Sequence, residues 1–163
     1  STGLRLIGGV NFDIPGSMRG RVGAGYVSRS YKAATYRDVS GLAAEAQLEF
    51  FPSRLTTLRA GAARVVEDSS LSSAGTYFDN RFSVGVDHEL LYNMIVTGRA
   101  EYRLQDYKNT PRKANYYAGS AGLRYLASQF LSLNANASFG KRDVNDGDRY
   151  DELRFVMGIR IQR

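Results

Sequence analysis

The sequence lacks several residue types and patterns, and each absence removes a class of protein. It contains no cysteine, three prolines and one histidine in 163 residues. The absence of cysteine fits an oxidising location, and one histidine without cysteine falls short of a zinc ligand set. No apolar run approaches the roughly 20 residues of a membrane-spanning helix, which excludes an α-helical membrane protein. No signal-peptide pattern opens the chain, so we expect a mature or truncated product.

Positive charge is not concentrated in one place. The net charge of +6 would ordinarily suggest a nucleic-acid partner. However, the only lysines, Lys32, Lys108, Lys113 and Lys141, lie in or beside segments predicted to be loops. Most arginines instead alternate with apolar residues inside predicted strands. This scattered charge does not predict binding to nucleic acid.

What the sequence does contain is regular alternation of apolar and polar residues. The clearest segment places Leu42, Leu48 and Phe50 opposite Glu45 and Glu49. About nine such segments follow one another, each with about ten alternating residues, the length that a tilted strand needs to cross a bilayer. The predicted strands cover about 4–12, 18–29, 39–51, 56–66, 77–87, 94–105, 116–125, 131–139 and 152–162.

The connections between these strands alternate between short turns and longer polar loops. The loops are predicted at 30–38, 67–75, 106–113 and 141–149. Aromatic residues gather near both kinds of connection, as in the two aromatic girdles of a membrane barrel. The pattern therefore predicts an all-β fold, a transmembrane antiparallel up-and-down barrel in the bacterial outer membrane, with residues 1–163 as one domain. A soluble β-sandwich is the disfavoured alternative.

Two features of this prediction need further explanation. The first and last predicted strands run in the same direction, whereas single-chain bacterial barrels have even strand numbers. We therefore expect further strands before Ser1, so that this chain is the C-terminal part of a larger barrel. Arg64 continues the apolar side of Leu58, Ala60 and Ala62. Either a bulge shifts the register there or the guanidinium reaches out to the headgroups.

Several motifs resemble one family of outer-membrane proteins. They are PSRLTTL at 52–58, VEDS at 66–69, VGVDHELLYN at 84–93 and GIRIQ at 158–162. These residues resemble the β-barrel porins of the second type, over most of the chain from about residue 40 onward. The resemblance implies a longer complete protein and, for some members, an association with exopolysaccharide loci. It implies no catalytic residue. The C-terminus also resembles the signal read by the barrel assembly machinery, although Arg163 stands where an aromatic residue is usual.

The inward-facing side chains are the candidate functional residues. Arginine forms planar, permanently charged pairs with carboxylates, so these residues either brace the wall or line a water-filled pore that favours anionic solutes or acidic glycans. Arg5, Asp87 and Glu89 share this parity. The predicted lumen-lining residues are Arg19, Arg21, Glu45, Glu49, Arg59, Asp79, Arg81, Arg99, Glu101, Arg103, Arg124, Glu152, Arg154 and Arg160.

The leading functional prediction is a passive porin-like channel or a polysaccharide-export-associated barrel, without cofactor or metal. A structural barrel that anchors an envelope partner is the first alternative. An outer-membrane enzyme is the weaker one, since His88 lies between Asp87 and Glu89 but no nucleophile has clear spacing to it. Expected partners are outer-membrane lipid, lipopolysaccharide, the barrel assembly machinery and polysaccharide-export components. Lipopolysaccharide phosphates are expected at the basic loop residues Lys32, Lys108, Arg112, Lys113, Lys141 and Arg142.

Overall fold

A computed structural model of the chain describes residues 2–30, 39–68, 76–107, 111–145, 147 and 149–161. These residues form one nine-stranded antiparallel sheet in which each strand pairs with the next along the chain. No helix among them is long and apolar enough to cross a membrane. The strands are β1 (Thr2–Ile14), β2 (Met18–Ser30), β3 (Val39–Ser53), β4 (Thr56–Asp68), β5 (Thr76–Leu91), β6 (Met94–Tyr107), β7 (Lys113–Leu126), β8 (Leu131–Val144) and β9 (Arg149–Ile161).

The connections at one end of the sheet are tight turns whose residues suit the backbone they adopt. Between β1 and β2, Ser17 N donates to Ile14 O at 3.0 Å. Pro15 presets the first turn position, and Gly16 takes the left-handed φ of 71° that a type II turn requires at the second. Between β7 and β8, Ser128 Oγ accepts hydrogen bonds from the backbone of Phe130 and Leu131 at 3.2 and 3.1 Å.

The register of the sheet sorts the side chains onto two faces. Along β1 and β2, for example, pairing runs without a break from Thr2 opposite Ser30 to Ile14 opposite Met18. Because successive residues point to opposite sides, this pairing gives one mainly apolar face and one mainly polar face. The apolar face carries Leu4, Leu6, Val10, Val22, Leu42, Leu48, Phe82, Val84, Leu133, Phe155, Met157 and Ile159, among others.

The apolar face is not a packed core. Val84 is 60% exposed and Met157 is 86% exposed. Among the described residues, the buried hydrophobic side chains are Val27, Ala43, Phe78, Tyr107, Ala114 and Val144. A continuous exposed apolar surface of this extent is what a sheet needs in order to contact acyl chains.

The strands are longer than the alternation predicts, and this part of the prediction is wrong. They have 13 to 16 residues, against about ten expected. Lys141, Arg142 and Asp143 belong to β8 rather than to a loop, and Arg149 begins β9. The link between β8 and β9 is therefore no longer than the 127–130 link, and the expected difference in length is lost there. Backbone pairing continues past the apolar belt, where polar residues on both faces erase the alternation.

Arg64 lies on the apolar face without a bulge, so the predicted alternative of a register shift is wrong. It pairs with Ala44 on β3 and with Asn80 on β5 in unbroken register. The only shift between β3 and β4 lies at Phe50/Ser53. The guanidinium carbon of Arg64 lies 4.6 Å from the ring centroid of Phe78, two residues nearer the 69–75 connection than Asn80. The side chain therefore extends along the strand toward the end of the sheet.

The assignment of the two faces can be tested on adjacent residues of β5. Val84→Arg places a guanidinium mid-strand on the apolar face, and we expect it to lower the free energy of unfolding by about 2–4 kcal/mol in a lipid bilayer. Ser83→Arg is the matched control on the polar face and should cost less than about 1 kcal/mol. Urea unfolding in vesicles measures both values. Equal losses for the two variants would contradict the assignment.

Candidate functional site on the polar face

A ladder of five charged side chains crosses five adjacent strands of the polar face. Arg19 on β2 donates through Nε to Glu49 on β3 at 2.6 Å, and Arg59 on β4 donates to the other Glu49 oxygen at 3.1 Å. Arg59 also pairs with Asp87 on β5. Asp87 then lies 3.7 Å from Arg99 Nη2 on β6. Three arginines share two carboxylates, so the ladder carries a net positive charge.

Gly85 explains how two arginines converge on Asp87. The register places Gly85 directly between Arg59 and Arg99. A Cβ at this position would lie 3.6 Å from Arg99 Cγ and 3.9 Å from Arg59 Cβ. Any longer side chain would occupy the space that the two guanidinium groups cross to reach the carboxylate. The ladder therefore depends on a residue that carries no charge.

A second arrangement pairs an arginine with the carboxylate two residues before it on the same strand. Arg81 Nη2 lies 2.5 Å from Asp79 Oδ2 on β5, and Arg103 pairs with Glu101 on β6. On β9, Arg154 Nη2 lies 2.5 Å from the Glu152 carboxylate. The Tyr150 hydroxyl donates a hydrogen bond to the same carboxylate at 2.6 Å. Residues two apart in a strand share a face, so each strand neutralises its own arginine.

The remaining predicted residues are more loosely placed. Arg21 lies 3.9 Å from Glu45, and Arg124 Nε donates to the Asn134 amide oxygen at 3.1 Å. Arg5 and Arg160 are exposed on β1 and β9, the two strands at the edges of the described sheet. The sequence alone did not indicate the contact of Arg103 with Tyr116, whose ring centroid lies 5.7 Å from the guanidinium carbon.

A hollow of about 480 Å³ lies on the polar face between the charged side chains. Arg59, Arg99, Glu101, Glu152 and Arg154 border it. The surface between them carries the ring of Tyr116, which lies over Gly140, and otherwise consists mainly of small residues that fill little of the space above the backbone. These residues are Ser83, Gly85, Ala118, Gly119, Ser120, Ser138 and Gly140.

His88 lies on the opposite, apolar face, in register with Thr56. Its Nδ1 is 2.9 Å from Thr56 Oγ1, which also accepts a hydrogen bond from Ser53 Oγ at 3.0 Å. The sequence alone did not indicate this hydroxyl neighbour, because the contact joins two strands. Within the described ranges no carboxylate is hydrogen-bonded to His88, so the residues do not form a nucleophile–base–acid triad. The two hydrogen bonds instead connect the 54–55 turn to β5.

The basic residues predicted to bind lipopolysaccharide are only partly described. Lys32 and Lys108 lie outside the described residues. Lys113 begins β7, and Lys141 and Arg142 lie in β8. The guanidinium carbon of Arg112 lies 5.9 Å from the Tyr107 ring centroid. In the part of the chain that is described, no group of three or more His, Asp or Glu side chains could hold a metal ion.

The family of this chain is identified by its similarity to known proteins. The profile of the family described as "Putative beta-barrel porin 2" matches residues 1–163. The chain belongs to this family. It is an outer-membrane protein, and its nine strands are part of an antiparallel up-and-down transmembrane β-barrel, as the alternation predicts. None of the curated proteins compared with the chain matches it.

Solved outer-membrane proteins share the fold at low sequence identity. In-vitro folded OmpT of Vibrio cholerae, in its trimer form, is 13% identical with a TM-score of 0.71, over 94% of this chain and 48% of that one. OmpT expressed in the outer membrane of the same species is 14% identical with a TM-score of 0.64, over 96% and 56%. The outer-membrane channel DcaP of Acinetobacter baumannii is 14% identical with a TM-score of 0.61, over 93% and 61%. The chain spans about half the length of these proteins.

The ladder makes a prediction about pairwise energies. Glu49 and Arg59 are 28% and 42% exposed, so solvent screening limits their coupling, and a double-mutant cycle with Glu49→Gln and Arg59→Gln should give about 0.5–1 kcal/mol. Glu45 and Arg21 are a matched pair at 3.9 Å with more exposure, 38% and 51%, and should give less than about 0.3 kcal/mol. Urea unfolding in vesicles supplies the free energies, and equal couplings would count against the ladder as described.

Proposed function

We propose that this protein is a passive porin-like channel whose polar face lines a water-filled, arginine-rich lumen. The observation that carries the proposal is the surface of small residues that lies between the charged side chains bordering the hollow. Gly85, Ser120 and Ser138 border the hollow of about 480 Å³ and reach little of it, whereas Tyr116 covers Gly140. A barrel that is sealed by its own side chains would need long side chains at these mid-strand positions. Water is expected to fill the hollow, because charged side chains border it.

The excess of arginine supports a preference for anions. In the ladder, Arg19, Arg59 and Arg99 share Glu49 and Asp87. On β7 and β8 the described polar-face residues include Arg124 and Arg142 and no carboxylate. A wall of this sign raises the local concentration of anions and lowers that of cations. Small anionic solutes fit this field, and so do acidic glycans.

Two other functions are less well supported by the same residues. A plugged structural barrel would require the hollow to be filled, whereas the side chains between its charged border residues are small apart from Tyr116. An enzyme of the outer membrane would need a general base beside a reacting group, whereas His88 bonds Thr56 on the apolar face. The proposed channel therefore needs no catalytic residue and no cofactor.

Channel activity is tested by reconstituting the protein in planar bilayers. We expect stepwise conductance and a reversal potential in a KCl gradient that reports a preference for chloride. Asp87→Asn removes the carboxylate shared by Arg59 and Arg99. The added positive charge should raise the chloride-to-potassium permeability ratio, roughly twofold at low salt, and less as salt screens it.

Asp151→Asn is the control for this measurement. Asp151 pairs in register with Lys141 and lies on the apolar side of β9, so its charge should leave the permeability ratio unchanged. A folded protein that gives no conductance would overturn the proposed function. If both variants changed the permeability ratio equally, the anion preference could not be assigned to charges on the polar face.

A further inference from the structure

One part of the polar face differs from the rest, because Arg124 has no carboxylate partner among the described residues and Arg99 has only Asp87, which it shares with Arg59. It lies on β6, β7 and β8, toward the end of the sheet that carries the short turns. A hollow of about 460 Å³ occupies this region, and its lining includes Thr97, Arg99, Gly122, Arg124 and Asn136. We call these five residues the Gly122 recess.

Hydrogen-bond donors converge above Gly122. The register aligns Thr97, Gly122 and Asn136 across the three strands. A Cβ built on Gly122 would lie 2.5 Å from Thr97 Oγ1 and 3.2 Å from Asn136 Nδ2. A hydroxyl and an amide nitrogen from two different strands therefore lie together over the Gly122 backbone, in the space that a side chain at this position would take. Both groups can donate to an oxygen atom.

Two guanidinium groups flank this pair of donors. Arg99 is 59% exposed, and its only described carboxylate contact is Asp87 at 3.7 Å, beyond hydrogen-bond distance. Arg124 is exposed and uses Nε for the Asn134 oxygen at 3.1 Å, a neutral partner. No carboxylate within the described ranges lies within ion-pair distance of Arg124. The charge of Arg124 is thus available to a solute, and the charge of Arg99 is only partly offset by the carboxylate that it shares with Arg59.

The acidic residues of the same hollow lie along its β5 wall. Asp87 and Glu89 line it there, and Arg54 lines it at the β3–β4 turn. Asp87 is already bonded to Arg59, which offsets its negative charge. The β7 and β8 walls carry only arginine and neutral amides. The recess is therefore polarised, with its positive side at Arg124 and its neutral donors between the two guanidinium groups.

We infer that the Gly122 recess is a binding site for small organic anions that carry a carboxylate or phosphate group. The guanidinium fork binds such planar oxyanions through two parallel hydrogen bonds, and the Thr97 hydroxyl and the Asn136 amide complete the oxygen's coordination. The inference rests on the proposed channel function and deepens it, because it places a saturable step on the lumen wall. A site of this kind makes conduction of the anion depend on its chemistry as well as its charge.

The test measures block of chloride current by succinate and, separately, by inorganic phosphate, in planar bilayers containing the protein. We expect saturable block by at least one of them, which also identifies the preferred oxyanion. A hydrogen bond to a charged group contributes about 1.5–3 kcal/mol, so Arg124→Gln should raise the half-blocking concentration by about 10- to 100-fold. Arg124→Lys keeps the charge without the fork and should give an intermediate value.

Arg154→Gln is the matched control, since Arg154 lies on the polar face but is paired with Glu152 at 2.5 Å. It removes the same charge but lies on β9, outside the hollow of about 460 Å³, and should change the half-blocking concentration less than about twofold. Heat-modifiable migration on gels verifies that each variant is folded. Unchanged block in Arg124→Gln, or an equal change in Arg154→Gln, would overturn the site.

Calorimetry separates this inference from the proposed function. If the folded protein does not conduct, the channel proposal fails, and titration of succinate or phosphate into the protein in detergent micelles then decides the site by itself. Saturable binding that is lost in Arg124→Gln and retained in Arg154→Gln supports the recess. Absence of binding by the unaltered protein to both anions overturns it.

Discussion

Continuous backbone pairing is the constraint on which the rest of this structure depends. In hydrocarbon an unpaired N–H or C=O group costs several kcal/mol, so strands that cross a membrane must bond to a neighbour at every residue. The seven inner strands, β2 to β8, pair on both sides with the register shifts confined to the short-turn ends, at Phe50/Ser53 and Glu89/Leu91, whereas β1 and β9 pair on one side in the described sheet. Between the ends, a residue's position in the sequence determines which face it occupies. A slip of β4 by one residue would turn Arg59 toward lipid and take it away from Glu49 on β3.

The chemistry of the polar face follows from that register. Glu49 lies directly opposite both Arg19 and Arg59, whereas Asp87 receives its arginines diagonally, from either side of Gly85. The direct pairs need only the alternation of each strand. The diagonal pairs also need the empty position between them. The same strand pairing thus places the charged side chains and the glycine between them, and the diagonal ion pairs need both.

The sequence predicted features that depend on one strand and missed features that depend on two. The alternation in 39–51 predicts the face of Glu45 and Glu49, and the number of strands follows from the same signal. The contacts of His88 with Thr56 and of Arg103 with Tyr116 join residues whose alignment is determined by the turns between them. The ends of the strands were placed wrongly for another reason. Beyond the apolar belt, at Lys141 to Asp143, both faces meet water, and hydrophobic alternation no longer reports on pairing.

The arginines of the polar face divide according to what neutralises them. Arg81, Arg103 and Arg154 each lie beside a carboxylate of their own strand, so their charge is offset before any solute arrives. Such pairs stiffen a wall and contribute little to an external field. Arg124 faces amides and glycine, where its charge is not offset by a described carboxylate, and Arg99 has only the carboxylate of Asp87, which Arg59 shares. An anion that moves along this wall therefore meets its strongest attraction between Arg99 on β6 and Arg124 on β7, because no described carboxylate pairs with Arg124 and the one near Arg99 is shared with Arg59.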